Sequence, residues 1–341
     1  MPHKKLLTVY SAAHAAVDFS CAFLVYRAML EAPELGLCLL LYNFCAFALQ
    51  MPFGLLADGW NRNGLVAAAG CLAVMLAYLP FLPAVGAAVM AGVGNGLFHV
   101  GGGLDVLNDS QERAAALGIF VSPGALGLFF GGALGRGGTV PTVLPVVALL
   151  VFAGLILLTA CRTYGGFRSL NAPAELTLPK GGIWPAALLT AVVALRSYMG
   201  FNQSLPWKGE GSWALILTLA LVMGKAGGGF LCDRLGAKRA AVLSLGLAAV
   251  FYLLSGNPIC GTIAVFLFNM TMPITLWAAA RLMPGAKGFA FGLLTFALFL
   301  GYLPTWLGWP SVLTTPLANA LAAAASALIL LGGLRGEGGK C

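Results

Sequence analysis

The chain has 341 residues, of which 60% are hydrophobic and only 9% are charged. Soluble globular domains carry about 25% charged residues, so this composition excludes a water-soluble enzyme and indicates a membrane protein. The formal net charge of +8 does not predict nucleic-acid binding, because the cytoplasmic loops of membrane proteins collect Lys and Arg.

Apolar segments follow one another along the whole chain. A helix needs about 20 residues to cross a hydrocarbon core of about 30 Å. Twelve such segments are predicted near residues 7–29, 35–57, 64–82, 84–103, 114–135, 140–160, 183–203, 211–231, 238–255, 258–280, 287–307 and 312–333. The first segment continues beyond signal-peptide length without a clear cleavage site, so we expect it to remain as a span.

The longest polar stretch divides these segments into six and six. It covers residues 161–182, close to the midpoint of the chain. We therefore predict an N-terminal six-helix bundle at residues 1–160, a cytoplasmic interdomain linker at residues 161–182 and a C-terminal six-helix bundle at residues 183–341.

The basic residues predict the orientation. With the N-terminus in the cytoplasm, fourteen of the 19 Lys and Arg residues fall on the cytoplasmic side, three fall outside, and Arg196 and Lys225 fall within spans. Positive residues concentrate on the cytoplasmic side of membrane proteins. We expect a monomer in a plasma membrane, specifically a bacterial inner membrane, with both termini in the cytoplasm.

A short pattern occurs twice, once in each predicted half. Gly54 to Asp58 read GLLAD and Gly229 to Asp233 read GFLCD, so the pattern G-x-L-x-D recurs 175 residues later at the end of spans 2 and 8. Such a repeat indicates duplication of a six-span unit in parallel orientation.

The second copy, in GGFLCDRLGAKR, resembles the loop motif of major facilitator superfamily transporters. The matching residues are Asp233, Arg234, Gly236, Lys238 and Arg239. This resemblance covers the whole chain and implies an all-α membrane protein with 12 transmembrane helices in two pseudo-symmetric six-helix bundles.

The first copy, GLLADGWNRNG, departs from that motif at two positions. Gly59 replaces the basic residue and Asn61 replaces the glycine, whereas Arg62 is retained. The resemblance implies that Asp58 and Asp233 act as latches, each accepting hydrogen bonds from a neighbouring helix N-terminus or an arginine. The alternative is that the charges of the motif only end helices and fix topology.

Spans 4 and 5 are similar to those of fosmidomycin-resistance-type exporters. The similarity lies in NGLFHVGGG, which contains His99, and in GIFVSPGALGLFFGG, which contains Pro123 and Gly127. Val100-Gly101 stands where that group tends to have Pro-Glu. The alternative for the second stretch is close packing and a helix kink.

Asp18, near the middle of span 1, is the leading candidate for proton coupling. Placing a carboxylate inside a membrane costs free energy, so such a residue usually marks a functional site. His14 lies four residues earlier on the same helical face and could relay the proton. The alternatives are a structural ion pair between Asp18 and Arg196 and a packing role for His14. His99 is placed near the cytoplasmic end of span 4, as a spacer or a gate.

Several further polar residues are candidates for substrate binding. Arg196 is either an anion clamp or the partner of Asp18, and Lys225 either lines the cavity or extends toward the cytoplasmic face. Asn95 and Asn269 lie near the middle of spans 4 and 10. Thr271 and Thr275 either bind substrate at a local helix break or hydrogen-bond to their own helix.

These features predict a secondary active transporter that works by alternating access. Proton-coupled export of a small organic molecule or drug is the first interpretation, and import or facilitated passage of a small organic anion is the second.

The sequence has no HExxH, GxSxG or GxxxxGK[ST] motif, so we expect no enzyme, no metal site, no cofactor and no nucleic-acid partner. An intramembrane enzyme and a transporter-like sensor are the remaining alternatives. The expected partners are the substrate, protons and the lipid bilayer.

Overall fold

The computed structural model describes residues 4–177 and 181–335. Lys180 and Lys340, two of the basic residues predicted to be cytoplasmic, lie outside this part of the chain. The described residues are helical and contain no strand. Consecutive helical pieces are labelled α1 to α12 in chain order: Lys4–Met29, Leu35–Trp60, Asn63–Leu76, Ala84–Asp109, Ala114–Gly137, Val143–Tyr164, Ile183–Asn202, Trp213–Leu235, Ala237–Leu253, Pro258–Leu282, Lys287–Trp306 and Pro316–Gly333.

Ten of these helices in the described chain are long and apolar enough to cross a membrane. The other two are α3, with 14 residues, and α9, with 17. Ten of the twelve helices begin and end within four residues of the predicted apolar segments, whereas α3 ends six residues earlier and α4 six residues later than predicted.

Two compact units make up the structure. The first contains the described residues of Met1–Gln111, Pro123–Leu176 and Gly285–Phe296, and the second contains those of Glu112–Ser122, Thr177–Pro284 and Ala297–Cys341. Each unit therefore includes the first part of one helix from the other half of the sequence, namely the start of α5 in the second unit and the start of α11 in the first.

Glycines bring helices close together in the first unit. Gly127, Gly131 and Gly135 recur every four residues along α5. A Cβ atom on Gly127 or Gly131 would meet the backbone carbonyl of Ala15 or Phe19 in α1. This small-residue spacing permits the close backbone contact that membrane helices use for packing, so the glycines of α5 position α1.

Two helices are interrupted where candidate residues cluster. Helix α5 breaks at Ser122 and Pro123, and helix α10 breaks at Met270, between Asn269 and Thr271. In the second unit, Gly228 of α8 packs directly against the backbone at Met270. The break predicted near Thr271 is thus present, and it lies at a close helix contact.

Candidate functional site

Helices α1 and α4 bring four polar side chains together inside the first unit. The Nε2 atom of His14 lies 3.3 Å from Oδ2 of Asp18, as expected for positions i and i+4. Asn95 donates a 3.0 Å hydrogen bond from Nδ2 to Oδ1 of Asp18, and Nε2 of His99 lies 3.8 Å from the same oxygen. His14, Asp18 and Asn95 are buried. We call these four residues the His–Asp cluster.

The hydrogen bonds of His99 determine where its proton lies. Its Nδ1 is 2.9 Å from the backbone oxygen of Asn95, and a carbonyl oxygen only accepts hydrogen bonds. Neutral His99 therefore carries its proton on Nδ1 and presents a lone pair on Nε2. That Nε2 lies 2.9 Å from Nε2 of His14, so the N–H of His14 is shared between His99 and the carboxylate of Asp18, which lies 3.3 Å away.

The cluster is arranged as a chain of proton donors and acceptors. Adding a proton to Nε2 of His99 would place two N–H groups opposite each other and break the bond to His14. The ligand atoms of His14, Asp18 and His99 lie within 4.8 Å of one another, which is also close enough for a shared cation. A bound metal would need both Nε2 atoms deprotonated, so it would replace the hydrogen bond between them.

The break in α5 forms the wall next to the cluster. Gly124 follows Pro123, and a Cβ atom at Gly124 would overlap the carboxylate of Asp18 and the ring of His14. Only a glycine leaves room for these side chains.

In the second unit, α7 presents Arg196 to α10. Nη1 of Arg196 lies 3.4 Å from the hydroxyl oxygen of Thr275, a long hydrogen bond. Thr275 and Thr271 donate to the backbone oxygens of Met272 and Phe268 on their own helix, which matches the second of the two alternatives for these threonines.

Beside Arg196 is a cavity of about 160 Å³. Its wall includes Gln203 and Lys208, which follow α7, together with Thr218 from α8 and Asn269 from α10. Asn269 donates from Nδ2 to the backbone oxygen of Val265 at 2.8 Å. Arg196 and Asn269, both singled out from the sequence as candidates for substrate binding, thus line one cavity.

Lys225 lies on a different side of α8. Its Nζ atom is 3.4 Å from the backbone oxygen of Val121, just before the break in α5. The side chain is partly buried and is not among the cavity residues of the second unit.

The repeated motif forms the same contact twice. In the first unit, the carboxylate of Asp58 accepts hydrogen bonds from the backbone N–H groups of Gly288 at 2.8 Å and Phe289 at 3.0 Å, at the start of α11. In the second unit, Asp233 accepts from the N–H groups of Ala114 at 2.8 Å and Ala115 at 3.3 Å, at the start of α5. An anion at a helix N-terminus satisfies unpaired N–H groups and the helix dipole.

The motif glycines permit these contacts. A Cβ atom at Gly54 would overlap the backbone of Gly288, and a Cβ atom at Gly229 would lie 2.5 Å from the backbone oxygen of Ala114. Each glycine precedes its aspartate by one helical turn, so the helices cross closely where the carboxylate binds.

The other motif residues form turns or remain exposed. Asn61 ends α2 with a φ of 52°, and Gly236 begins α9 with a φ of 82°. Asn tolerates the left-handed conformation, which explains how it replaces glycine in the first copy. The basic side chains of the motif are exposed, namely Arg62, Arg234, Lys238 and Arg239.

The fold of the whole chain is that of a known class of membrane proteins. The structure superposes with a TM-score of 0.68 on a single-residue variant of the Escherichia coli fucose:proton symporter FucP, at 13% identity over 97% of each chain. It superposes equally well, at 14% identity, on the human organic anion transporter MFSD10, covering 98% of this chain and 99% of that one.

A third solved structure, of FucP in the outward conformation, is titled a major facilitator superfamily transporter and matches with a TM-score of 0.67 at 13% identity over 98% of both chains. The chain has the major facilitator superfamily fold. No protein-family model matches the sequence, and no curated protein matches it either.

One expectation about this major facilitator fold is wrong. His99 was expected near the end of a span at residues 84–103, but α4 continues to Asp109, so His99 lies in the middle of the helix. The additional residues of the helix include Asp105, whose carboxylate has buried partners.

The sequence did not single out Asp105 and the residues around it. Its fully buried carboxylate accepts hydrogen bonds from the hydroxyl of Tyr10 at 2.7 Å and from Nδ2 of Asn63 at 2.9 Å. Nδ2 of Asn63 also donates to Asn171 in the predicted linker at 2.7 Å, and Asn171 donates to the backbone oxygen of Ala57 at 3.0 Å. Asparagine and tyrosine near helix ends were the available signal, but their partners are distant in sequence.

Proposed function

We propose that the chain is a proton-coupled secondary active transporter that works by alternating access. It exports a small organic molecule in exchange for protons that move inward. The observation that carries this proposal is the His–Asp cluster, a buried carboxylate that accepts a hydrogen bond from an amide and lies beside two imidazoles within a fold shared with transporters.

The cluster suits a proton carrier because it can change its charge without losing all its hydrogen bonds. Buried charged groups in membrane helices are costly and mark ion pathways or proton relays. A proton taken up at Nε2 of His99 would replace the acceptor in its 2.9 Å bond to His14 with a second N–H group. Proton binding would in this way be linked to a rearrangement of α1 against α4.

The duplicated aspartates supply the element that changes between access states. Asp58 and Asp233 each hold the N-terminus of a helix from the other half of the sequence. We propose that these latches hold one access state and release when the other forms. Four exposed basic residues of the motif help to end the helices and to orient the chain, namely Arg62, Arg234, Lys238 and Arg239.

The second candidate function is import or facilitated passage of a small organic anion. Arg196 favours it, because its guanidinium lines a cavity in the second unit. Two similar folds belong to a fucose:proton symporter and an organic anion transporter, so they support proton coupling and anion recognition respectively. Neither decides the direction. The transporter proposal is preferred to an intramembrane enzyme or a sensor, since the three similar structures described above are of transporters.

The finer topology also belongs to the proposal. Helix α3 rises about 21 Å and α9 about 25 Å at 1.5 Å per residue, which falls short of a bilayer core of about 30 Å. We propose that the residues that follow each helix complete the crossing. The proposed chain then has 12 spans in two six-helix bundles. We further propose that both termini are cytoplasmic and that the protein is a monomer in a bacterial inner membrane. We also propose that spans 4 and 5 are like those of fosmidomycin-resistance-type exporters.

Reconstitution tests the function. Compounds that stabilise the purified protein in a thermal-shift screen of metabolites and drugs are tested for flux in proteoliposomes with an imposed pH gradient. We expect accumulation that requires the gradient and collapses with a protonophore. Flux that ignores the gradient would contradict proton coupling. Accumulation in everted but not right-side-out vesicles would support export, and the opposite result would support the importer.

A further inference from the structure

The cavity beside Arg196 differs from the His–Asp cluster in its charge. It lies among α7, the turn at Pro206–Gly209, α8 and α10, all within the second unit. Its wall contains two cationic side chains, Arg196 and Lys208, and no carboxylate. The remaining wall is formed by amide, hydroxyl and apolar side chains, among them Phe268. A wall of this kind favours an anion.

Arg196 has unused donors that face this cavity. In the described part of the second unit, its one hydrogen bond is the 3.4 Å contact with the neutral hydroxyl of Thr275, and no carboxylate there forms an ion pair with it. A guanidinium has five N–H donors and remains charged in proteins. Leaving such a group partly buried without a counter-ion is unfavourable, so a ligand carboxylate would satisfy it.

Gln203 adds a second set of donors. The hydroxyl of Tyr252 donates to Oε1 of Gln203 at 3.0 Å, which fixes the amide with its oxygen engaged. The NH2 group of Gln203 therefore remains the part available to the cavity. Donors from Arg196, Gln203 and Lys208 thus line one space.

Asn269 offers a hydrogen-bond acceptor to the cavity, whereas Arg196, Gln203 and Lys208 offer donors. Its Nδ2 donates to Val265 at 2.8 Å, so the atom left for a ligand is the acceptor Oδ1. Thr218 likewise donates to the backbone oxygen of Ala214 at 2.9 Å, and its oxygen remains as an acceptor. A ligand that matches this wall has an anionic end and a hydroxyl group.

We propose that this cavity is the binding subsite for a short-chain hydroxycarboxylate. The carboxylate pairs with the planar fork of Arg196 and with the amide of Gln203, and the hydroxyl donates to Asn269. A volume of about 160 Å³ is smaller than the roughly 300–1,000 Å³ of sites for drug-sized ligands, which favours a ligand of only a few carbons. The proposal rests on the proposed function in that the bound anion would be the transported substrate.

Binding to the purified full-length protein in nanodiscs tests the subsite without any gradient. The probes are lactate, which carries both groups, and lactamide, which has nearly the same shape but no charge. We expect lactate to bind by isothermal titration calorimetry and to raise the melting temperature, and lactamide to bind at least tenfold more weakly. Equal binding of the two, or no binding of lactate, glycolate or glycerate, would overturn the proposal.

Variants connect the binding to the named residues. R196Q is expected to weaken lactate binding at least tenfold, while R196K, which keeps the charge but not the fork, weakens it less. The control is T190A, whose hydroxyl bonds to its own helix on α7 outside the cavity and which should bind as wild type. If R196Q does not fold, R196K and Gln203→Leu carry the test, and unchanged affinity in both would overturn the proposal.

The two proposals fail separately. D18N is expected to lose gradient-driven flux, which tests the coupling, whereas the lactate subsite is tested by the Arg196 and Gln203 variants without a gradient. Absent lactate binding with intact proton coupling to another substrate would reject the subsite alone. Lactate binding with flux that ignores the pH gradient would reject the coupling alone.

Discussion

Gly124 is the residue on which the geometry of the His–Asp cluster most directly depends. A Cβ atom at this position would overlap both Asp18 and His14. The histidine and the carboxylate are on α1, so the extra atom would push α5 away or turn the side chains out of their hydrogen bonds. A single methyl group therefore tests the cluster without changing any ionisable residue.

We predict that G124A reduces gradient-driven transport at least tenfold in proteoliposomes. The matched control is G154A on α6, where a Cβ atom would meet nothing within 4 Å. Because alanine favours helix over glycine by about 0.5–1 kcal/mol, G154A should be as stable as wild type or slightly more so, with normal transport. Normal transport by G124A would show that the cluster tolerates displacement and does not control the rate.

The second residue-level prediction concerns the buried carboxylate of Asp105. Y10F removes the hydroxyl that donates to it at 2.7 Å and leaves the carboxylate with fewer partners. We expect the free energy of unfolding to fall by about 1–3 kcal/mol, the usual cost of an unsatisfied buried group, and the melting temperature in detergent to fall with it.

The control for Y10F is Y26F. The ring of Tyr26 stacks under Arg136, and its hydroxyl has no hydrogen bond within the described residues. Phenylalanine keeps the ring, so the change should stay within about 0.5 kcal/mol. Equal melting temperatures for Y10F and Y26F would mean that Tyr10 does not support Asp105.

At the scale of elements, the latches provide an internal control. Asp58 protects the amides at the start of α11, and Asp233 protects those at the start of α5. We predict that D58N speeds hydrogen–deuterium exchange in peptides that cover residues 287–292 and leaves residues 113–118 unchanged. D233N should do the reverse. A change at both sites in either variant would mean that the effect is global and that the aspartates are not separate latches.

Substitution of the motif glycines tests the same helix contacts without changing the charge of Asp58 or Asp233. We expect G54A and G229A to lower transport severalfold, because the added Cβ atoms would separate α2 from α11 and α8 from α5. G59A, on the same helix as Gly54 but with nothing within 4 Å of its Cβ position, is the control and should transport as wild type. Equal rates for G54A and G59A would argue against a role for close helix contact.

The elements show what the sequence could and could not predict. Span positions followed from apolar length, and Asp58 and Asp233 followed from the repeat. The partner of each aspartate is the N-terminus of a helix far along the chain, and no local pattern identifies it. The length of α4 was underestimated because a span was given about 20 residues, whereas the helix continues through the buried Asp105 to Asp109.

The whole molecule combines two units with different chemistry. The first unit holds the His–Asp cluster, where we propose that protons are exchanged, and the second holds a cationic cavity beside Arg196. Sequence spacing predicted that His14 and Asp18 share a face, but it could not bring His99 to them, because that contact depends on how α1 packs against α4. The proposed proton exchange in the first unit and the proposed ligand binding in the second are the two events that a coupled transporter combines.

The central claim is that Asp18 couples transport to protons. Two flux assays on the variant D18N test it most directly, one with a pH gradient and one without. D18N and the control E34Q, an exposed acid at the start of α2, are compared in proteoliposomes with a substrate from the thermal-shift screen. We predict that D18N loses at least tenfold in pH-gradient-driven accumulation while it retains substrate exchange across the membrane without a gradient, and that E34Q retains both. Gradient-driven accumulation at the wild-type rate in D18N would contradict the account.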